Sequence, residues 1–216
     1  RQASNIRDET GKRTVPIKSD RAAYGIQAQK STMCDNDSNK YPDVYNEVTL
    51  REEKMTVDVT GTGAYETAGI MAKNGAVNHI KTDNGETLNL DITVSGATTM
   101  PTSPVAGLFA NVGTNGRGHN IIESSGDLNL NISATNTRVA GGNSGYASGI
   151  QSWSGDNSII SQGKMVLNVD VESDKLNYRC GAICTMSGVT LIHSADEDDV
   201  LTLGGSVTAN GGTNRI

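Results

Sequence analysis

The sequence is short of most of what builds a compact globular core. Its 216 residues include one Phe, one Trp, six Tyr, four Pro and three Cys. Leu, Ile, Val and Phe together make up about one fifth of the chain, a share at which a sequence can fail to bury enough apolar surface to fold. No apolar run approaches the ~18 residues that a membrane-spanning helix needs, so this segment is not expected to insert into a membrane. Lys and Arg number 18 against 24 Asp and Glu, a net charge of −6. Proteins that bind nucleic acid through its phosphates are usually basic, so that class of partner is disfavoured. Cys34, Cys180 and Cys184 are too few for a disulfide scaffold. Cys180 and Cys184 lack the second Cys or His pair of a zinc site. A small local loop between them, bent at Gly181, is the one bridge worth entertaining.

What the chain does have is repetition. A phrase of Gly or Ala, then Ile or Leu, any residue, and a small or polar one recurs five times. It reads Gly25-Ile26-Gln27-Ala28, Gly69-Ile70-Met71-Ala72, Gly107-Leu108-Phe109-Ala110, Gly149-Ile150-Gln151-Ser152 and Ala182-Ile183-Cys184-Thr185. A second phrase follows each time, built on Asn46 and Val48, Asn78 and Ile80, Asn120 and Ile122, Asn157 and Ile159, and more loosely Thr190 and Ile192. A third is strict alternation, the period of a half-buried strand. Its members are Met55, Val57, Val59, then Leu88, Leu90, Ile92, Val94, then Leu128, Leu130, Ile132, then Met165, Leu167, Val169, Val171, and last Leu201 and Leu203.

Units of this length, three short strands each and no helical period, predict a solenoid. The expected fold is all-β: a parallel β-helix of about five coils, three short strands per coil. Residues 22–216 are expected to form it. Residues 1–21 read as an irregular N-terminal segment or partial coil. The stretch after Thr208 reads as the start of a sixth coil, so the chain is expected to be a fragment of a longer rod. Ala28, Ala72, Ala110, Ser152 and Thr185 should stack where the wall bends. Asn46, Asn78, Asn120 and Asn157 should form a hydrogen-bonded ladder from coil to coil.

These phrases resemble the passenger domains of Gram-negative autotransporters over residues 22–208. The resemblance implies that the parallel β-helix is right-handed, and it implies type V secretion and a bacterial cell-surface location, with anchoring through an outer-membrane barrel outside this segment. It also implies an adhesin, not an enzyme, that binds a surface protein or glycan ligand or self-associates in biofilm. The architecture also resembles bacterial polysaccharide lyases, glycosidases and phage tailspikes, so a carbohydrate-active β-helix enzyme is the alternative.

Within the expected fold, one residue past each first-phrase anchor points outward. Met71 and Phe109 fall there, with Trp153 and Met186 two places further on, and together they suggest an apolar stripe for ligand contact. The opposing expectation is that a long loop folds over this face and buries them. Three long turns, Gln29 to Asn46, Ser95 to Val105 and Thr135 to Tyr146, are further candidates, with Tyr41 and Tyr45 as a contact patch. His79, His119 and His193 read as surface histidines without metal, His119 two residues out of register with His79. Asp196 to Asp199 reads as a solvated acidic turn, with Ca²⁺ binding as the alternative. Asp156, Asp170 and Glu172 are acids near strands, and Arg138, Lys164 and Arg179 are available cations. Nothing in their spacing pairs them for hydrolysis or elimination. No catalytic residue, metal or cofactor is expected.

Overall fold

The computed structural model describes residues 13–14, 17–19, 22–29, 44–50, 54–61, 66–97, 104–137, 146–173, 181–195 and 201–209. Two short strands lead in, β1 (Arg13–Thr14) and β2 (Ile17–Ser19). Sets of three then follow. The first is β3 (Ala23–Gln29), β4 (Tyr45–Leu50) and β5 (Met55–Gly61). The second is β6 (Thr67–Lys73), β7 (Val77–Thr82) and β8 (Leu88–Gly96). The third is β9 (Pro104–Gly113), β11 (His119–Ser124) and β12 (Leu128–Asn136), with a two-residue strand, β10 (Gly116–Arg117), between its first two members. Next come β13 (Tyr146–Ser152), β14 (Asp156–Ser161) and β15 (Met165–Ser173). The last set is β16 (Gly181–Thr185), β17 (Val189–Ser194) and β18 (Leu201–Ala209). There is no helix among the described residues.

Equivalent strands of successive sets pair in parallel and form three walls. The first wall runs β3-β6-β9-β13-β16, the second β4-β7-β11-β14-β17 and the third β5-β8-β12-β15-β18. The chain is therefore a β-solenoid. Three turns, 66–97, 104–137 and 146–173, are described without a break, and each wall carries a further strand on either side of them. The lead-in strands β1 and β2 lie on the free edge of β5, in parallel. Cys34, Cys180 and Asp196 to Asp199 lie outside the described residues, as does most of each long turn.

The third wall is the plainest case of alternation becoming structure. Leu88, Leu128, Met165 and Leu201 are partners in one row, and Ile92, Ile132 and Val169 in another. Slipping one strand by a residue would turn its whole apolar set outward, so the interior itself holds the register. All of these side chains except Leu201, which is exposed, meet Ile70, Leu108 and Ile150 of the first wall and Ile80, Ile122 and Ile159 of the second in one continuous core.

The first wall departs from simple alternation. Val105 and Leu108 both lie in the core, and a Cβ placed on Gly107 would meet Ile132 Cγ2 at 2.2 Å. Two successive residues, Gly107 and Leu108, therefore face inward. The same holds at Gly69, whose Cβ would meet Ile92 Cγ2 at 2.3 Å, and at Gly149, whose Cβ would meet Val169 Cγ1 at 2.0 Å. A stacked bend runs along the wall at these positions, and only a residue without Cβ fits where the backbone turns into the core. Beyond the bend, Ala28, Ala72, Ala110, Ser152 and Thr185 stack in register, as expected from the repeat.

The asparagine ladder forms at the corner between the first and second walls. Asn46 Nδ2 donates to Asn78 Oδ1 at 3.0 Å, Asn78 to Asn120 at 2.9 Å and Asn120 to Asn157 at 2.9 Å. Each Nδ2 gives its second hydrogen to a first-wall carbonyl: Gln27, Met71, Phe109 or Gln151. Thr190 takes the ladder position in β17, where its hydroxyl bonds to those of Ser152 and Thr185 at 2.8 and 2.7 Å. At the next corner a column of hydroxyls performs the same task. Thr82 donates to the Glu86 carbonyl, Ser124 to that of Asp127 and Ser161 to those of Gly163 and Lys164. Buried backbone groups need partners, and the repeated Asn and Ser/Thr supply them where the walls turn and strand pairing cannot.

Candidate functional site

The outer face of the first wall is not the exposed stripe expected for it. Met71 and Phe109 are 0% exposed. They form a second apolar cluster with Ala68 and Ala106, against which Tyr24 and Trp153 pack half-buried. Tyr146 is also fully buried, accepts a hydrogen bond from Gln151 Nε2 at 3.0 Å and lies 6.5 Å from the Trp153 ring. Met186, at 43%, is exposed. The correction has a simple cause. Alternation tells which side chains leave the interior of the coil but not whether more of the chain lies over that face. Met71 and Phe109 point outward and are buried, with Tyr24 and Trp153 packed against them.

Tyr24 belongs to this covered face. Its hydroxyl donates to Glu66 Oε1 at 2.7 Å, and burial, followed by the Glu66 charge and this hydrogen bond, raises its pKa far above the ordinary phenol range. The folded chain therefore keeps a proton that the unfolded chain releases as pH rises through ~10. The folded state then binds more protons than the unfolded one, so stability falls with rising pH. Urea unfolding midpoints are expected to drop between about pH 8 and about pH 11, and less steeply in Tyr24→Phe. Equal slopes for the two proteins would contradict the assignment.

The second wall carries a polar cluster on its outer face. Tyr45, 50% exposed, is its sequence-expected member. Tyr41 lies outside the described residues. Tyr45 Oη sits 2.7 Å from His79 Nδ1, with the rings edge to face at 6.3 Å. His79 Nε2 is 2.8 Å from Glu123 Oε2. Glu47 Oε2, 3.5 Å from Tyr45 Oη, is a second and longer-range acceptor for the single phenol hydrogen, behind His79 Nδ1, and Glu47 Oε1 pairs with Lys81 Nζ at 3.4 Å. Burial raises the Tyr45 pKa, helped by the Glu47 charge and hydrogen bond. The Lys81 pKa is also raised, chiefly by its hydrogen bond to Glu47. The repeat could have located these residues: with the Asn ladder aligned, Glu47 and His79 share a row, and Lys81 and Glu123 share the next one over. It could not show that the side chains reach diagonally across rows.

His119 pairs with Val77, and Ile121 with His79, the two-residue offset expected. His119 Nδ1 faces Asp156 Oδ2 at 3.3 Å, while Asp156 Oδ1 accepts from Arg117 at 3.3 Å and from the Val189 amide at 2.9 Å. Asp156 is thus engaged in joining two turns. Asp170 and Glu172 are on the third wall, a different face, so the three acids do not share a site. Arg138 and Arg179 lie outside the described residues. No group of three or more His, Cys, Asp or Glu is placed to hold a metal among the described residues.

The outer face of the third wall is a polar lattice. One row holds Asp58, Thr93, Ser133, Asp170 and Ser206. The next holds Thr60, Ser95, Thr135, Glu172 and Thr208. On the other side lie Thr56, Asp91, Asn131, Asn168 and Gly204. Neighbours along a row are about 4.8 Å apart and rows about 6.6 Å apart, the strand and two-residue spacings of a sheet. Asn168 Nδ2 donates to Asn131 Oδ1 at 2.9 Å, Asn131 Nδ2 to Asp91 Oδ1 at 2.8 Å, and Lys54 pairs with Asp91 from the other side. Ser206 donates to Asp170 at 2.7 Å. Side chains in this lattice are held by their neighbours while their remaining donors and acceptors face solvent.

Together these features define a parallel β-solenoid whose first wall is covered, whose second carries a polar cluster beside exposed Val189 and Leu191, and whose third is polar. No protein-family model, curated protein or solved structure matches the chain.

Proposed function

We propose that this chain is a segment of a bacterial cell-surface adhesin of the autotransporter passenger kind, a right-handed β-helix of about five coils within a longer rod. It binds a surface protein or glycan, or its own copies in biofilm, through many weak contacts along the rod and without catalysis. The observation that supports this reading is the third-wall lattice. A flat face repeating the same hydrogen-bonding groups every turn suits a repetitive, polyhydroxylated ligand, because each turn contributes a similar small increment. Contacts made in series on one rigid body reinforce one another by raising the effective concentration of the next.

The test is retention of the folded chain on immobilised glycans and on whole bacterial cells. Asn131→Ala, Asp170→Ala and Glu172→Ala combined are expected to reduce retention about tenfold or more, from three lost hydrogen-bonding contacts. The variant also gives up the exposed lattice hydrogen bonds of Asn131 to Asn168 and Asp91 and of Asp170 to Ser206, so its unfolding midpoint is expected to fall modestly while the chain stays folded, which circular dichroism checks. Undiminished retention of the triple variant would remove the third wall from the binding surface. Turnover of an acidic polysaccharide by the unmodified chain would replace the adhesin reading with that of a carbohydrate-active β-helix enzyme.

A further inference from the structure

Tyr45, His79 and Glu123 come from β4, β7 and β11, three successive strands of the second wall. Glu123 Oε2 lies 2.8 Å from His79 Nε2, and a carboxylate only accepts, so Nε2 carries the hydrogen and donates it. The neutral ring then has its lone pair at Nδ1. Tyr45 Oη, 2.7 Å away, donates its phenol hydrogen there. The order is carboxylate, imidazole, hydroxyl. In such an arrangement the acid sets the tautomer of the base, and the base takes the proton of a nucleophile. The exposures fit these roles: the His79 side chain is 14% exposed, sheltered between its partners, whereas Tyr45 is half exposed and reachable.

The charged groups around the imidazole are Glu47 on β4, Lys81 on its own strand and Glu123 on β11. Glu47 Oε2 is 4.0 Å from His79 Nδ1, beyond hydrogen-bond reach, and its other oxygen is drawn to Lys81. The near position on Nδ1 is left to the phenol. The raised Tyr45 pKa keeps that phenol protonated near neutral pH. Reactivity at Tyr45 therefore depends on proton transfer to His79 and not on a standing phenolate.

We propose that Tyr45 is a base-activated nucleophile and a covalent modification site for activated acyl esters. Tyr45 Oη attacks the carbonyl carbon while His79 Nδ1 takes the phenol proton. The tetrahedral intermediate then expels the leaving oxygen, which takes that proton from His79. The carbonyl–oxygen bond to the leaving group breaks, a new one to Tyr45 forms, and the products are an acyl-tyrosine and the free alcohol. No oxidant, reductant or metal enters the balance. Glu123 steadies the imidazolium formed in between. This inference stands apart from the adhesin reading, since it concerns the second wall and reads out as an adduct and not as binding.

The experiment is acetylation of the full chain by p-nitrophenyl acetate, with peptide mapping by mass spectrometry and N-acetyl-tyrosinamide as the reference. Tyr45 is expected to acetylate about 100-fold faster than the reference, the lower range for a positioned general base. His79→Gln should bring it down to the reference rate, while far-UV circular dichroism and the unfolding midpoint stay as in the parent. Glu123→Gln should give an intermediate rate. A Tyr45 rate equal to the reference would overturn the proposal. So would unchanged labelling in a folded His79→Gln variant, or acetyl found on Lys81 in place of Tyr45.

Discussion

Replacing Gly107 with alanine is expected to destabilise the fold by about 3 kcal/mol or more, at the upper end of what overpacking a core costs. The added Cβ would sit 2.2 Å from Ile132 Cγ2 and 2.8 Å from the Gly149 carbonyl oxygen. The first contact is with a branched side chain packed in the core. The second is with backbone locked in the next turn's pairing. Neither can retreat without shifting a wall. Gly107 has no positive φ, so the demand there is for space alone. Gly85 offers the opposite case: its φ is +75° with nothing within 4 Å of an added Cβ. Gly85→Ala should cost only about 1 kcal/mol, the conformational penalty of a side chain in the left-handed region. Chemical denaturation of both variants separates the two mechanisms. Comparable losses would mean that the stacked bend is not as tight as the distances indicate.

Asn120→Ala is expected to cost a comparable amount, about 3–5 kcal/mol, because it orphans several buried groups at once. The Phe109 carbonyl loses its donor, Asn157 Oδ1 loses its donor, and Asn78 Nδ2 loses an acceptor. Asn120 is 1% exposed, so water cannot replace these partners without opening the wall. Asn46 heads the same ladder but is half-buried and has one ladder neighbour, so Asn46→Ala should cost about 1–2 kcal/mol, the worth of its two hydrogen bonds, to Asn78 and to the Gln27 carbonyl, at a site that water can reach. Position along the ladder, and not the residue type, sets the loss. Equal unfolding midpoints for the two variants would show that the amides act singly and not as a connected column.

Much of the architecture was legible because a solenoid repeats its solution. Leu88-x-Leu90-x-Ile92 and Leu128-x-Leu130-x-Ile132 state a strand by alternation, and their recurrence states which strands pair. The same argument placed the Asn ladder and the Ala28-to-Thr185 stack in register, residue for residue. The outer faces were less legible. The phrase Gly-Leu-Phe-Ala puts Phe109 outside the coil, and there the pattern stops being informative. A covered outer wall and a wet one have the same alternation, and the first wall is covered while the third is wet.

By itself the sequence determined the strand pattern, the repeat, the parallel stacking partners and the asparagine ladder at the first corner. All of these depend on periods of two residues and of one turn, and such periods are written along the chain. The tertiary structure alone decided three further things. Gly107 and its equivalents turn two successive residues into the core, Met71 and Phe109 lie in a second cluster, and Tyr45, His79 and Glu123 come within hydrogen-bond reach. Each depends on distances between walls or turns, between groups roughly 20 to 45 positions apart in sequence, and on how far a side chain leans from its own row. A repeat records which residues are neighbours in register, and only packed coordinates record which of them touch.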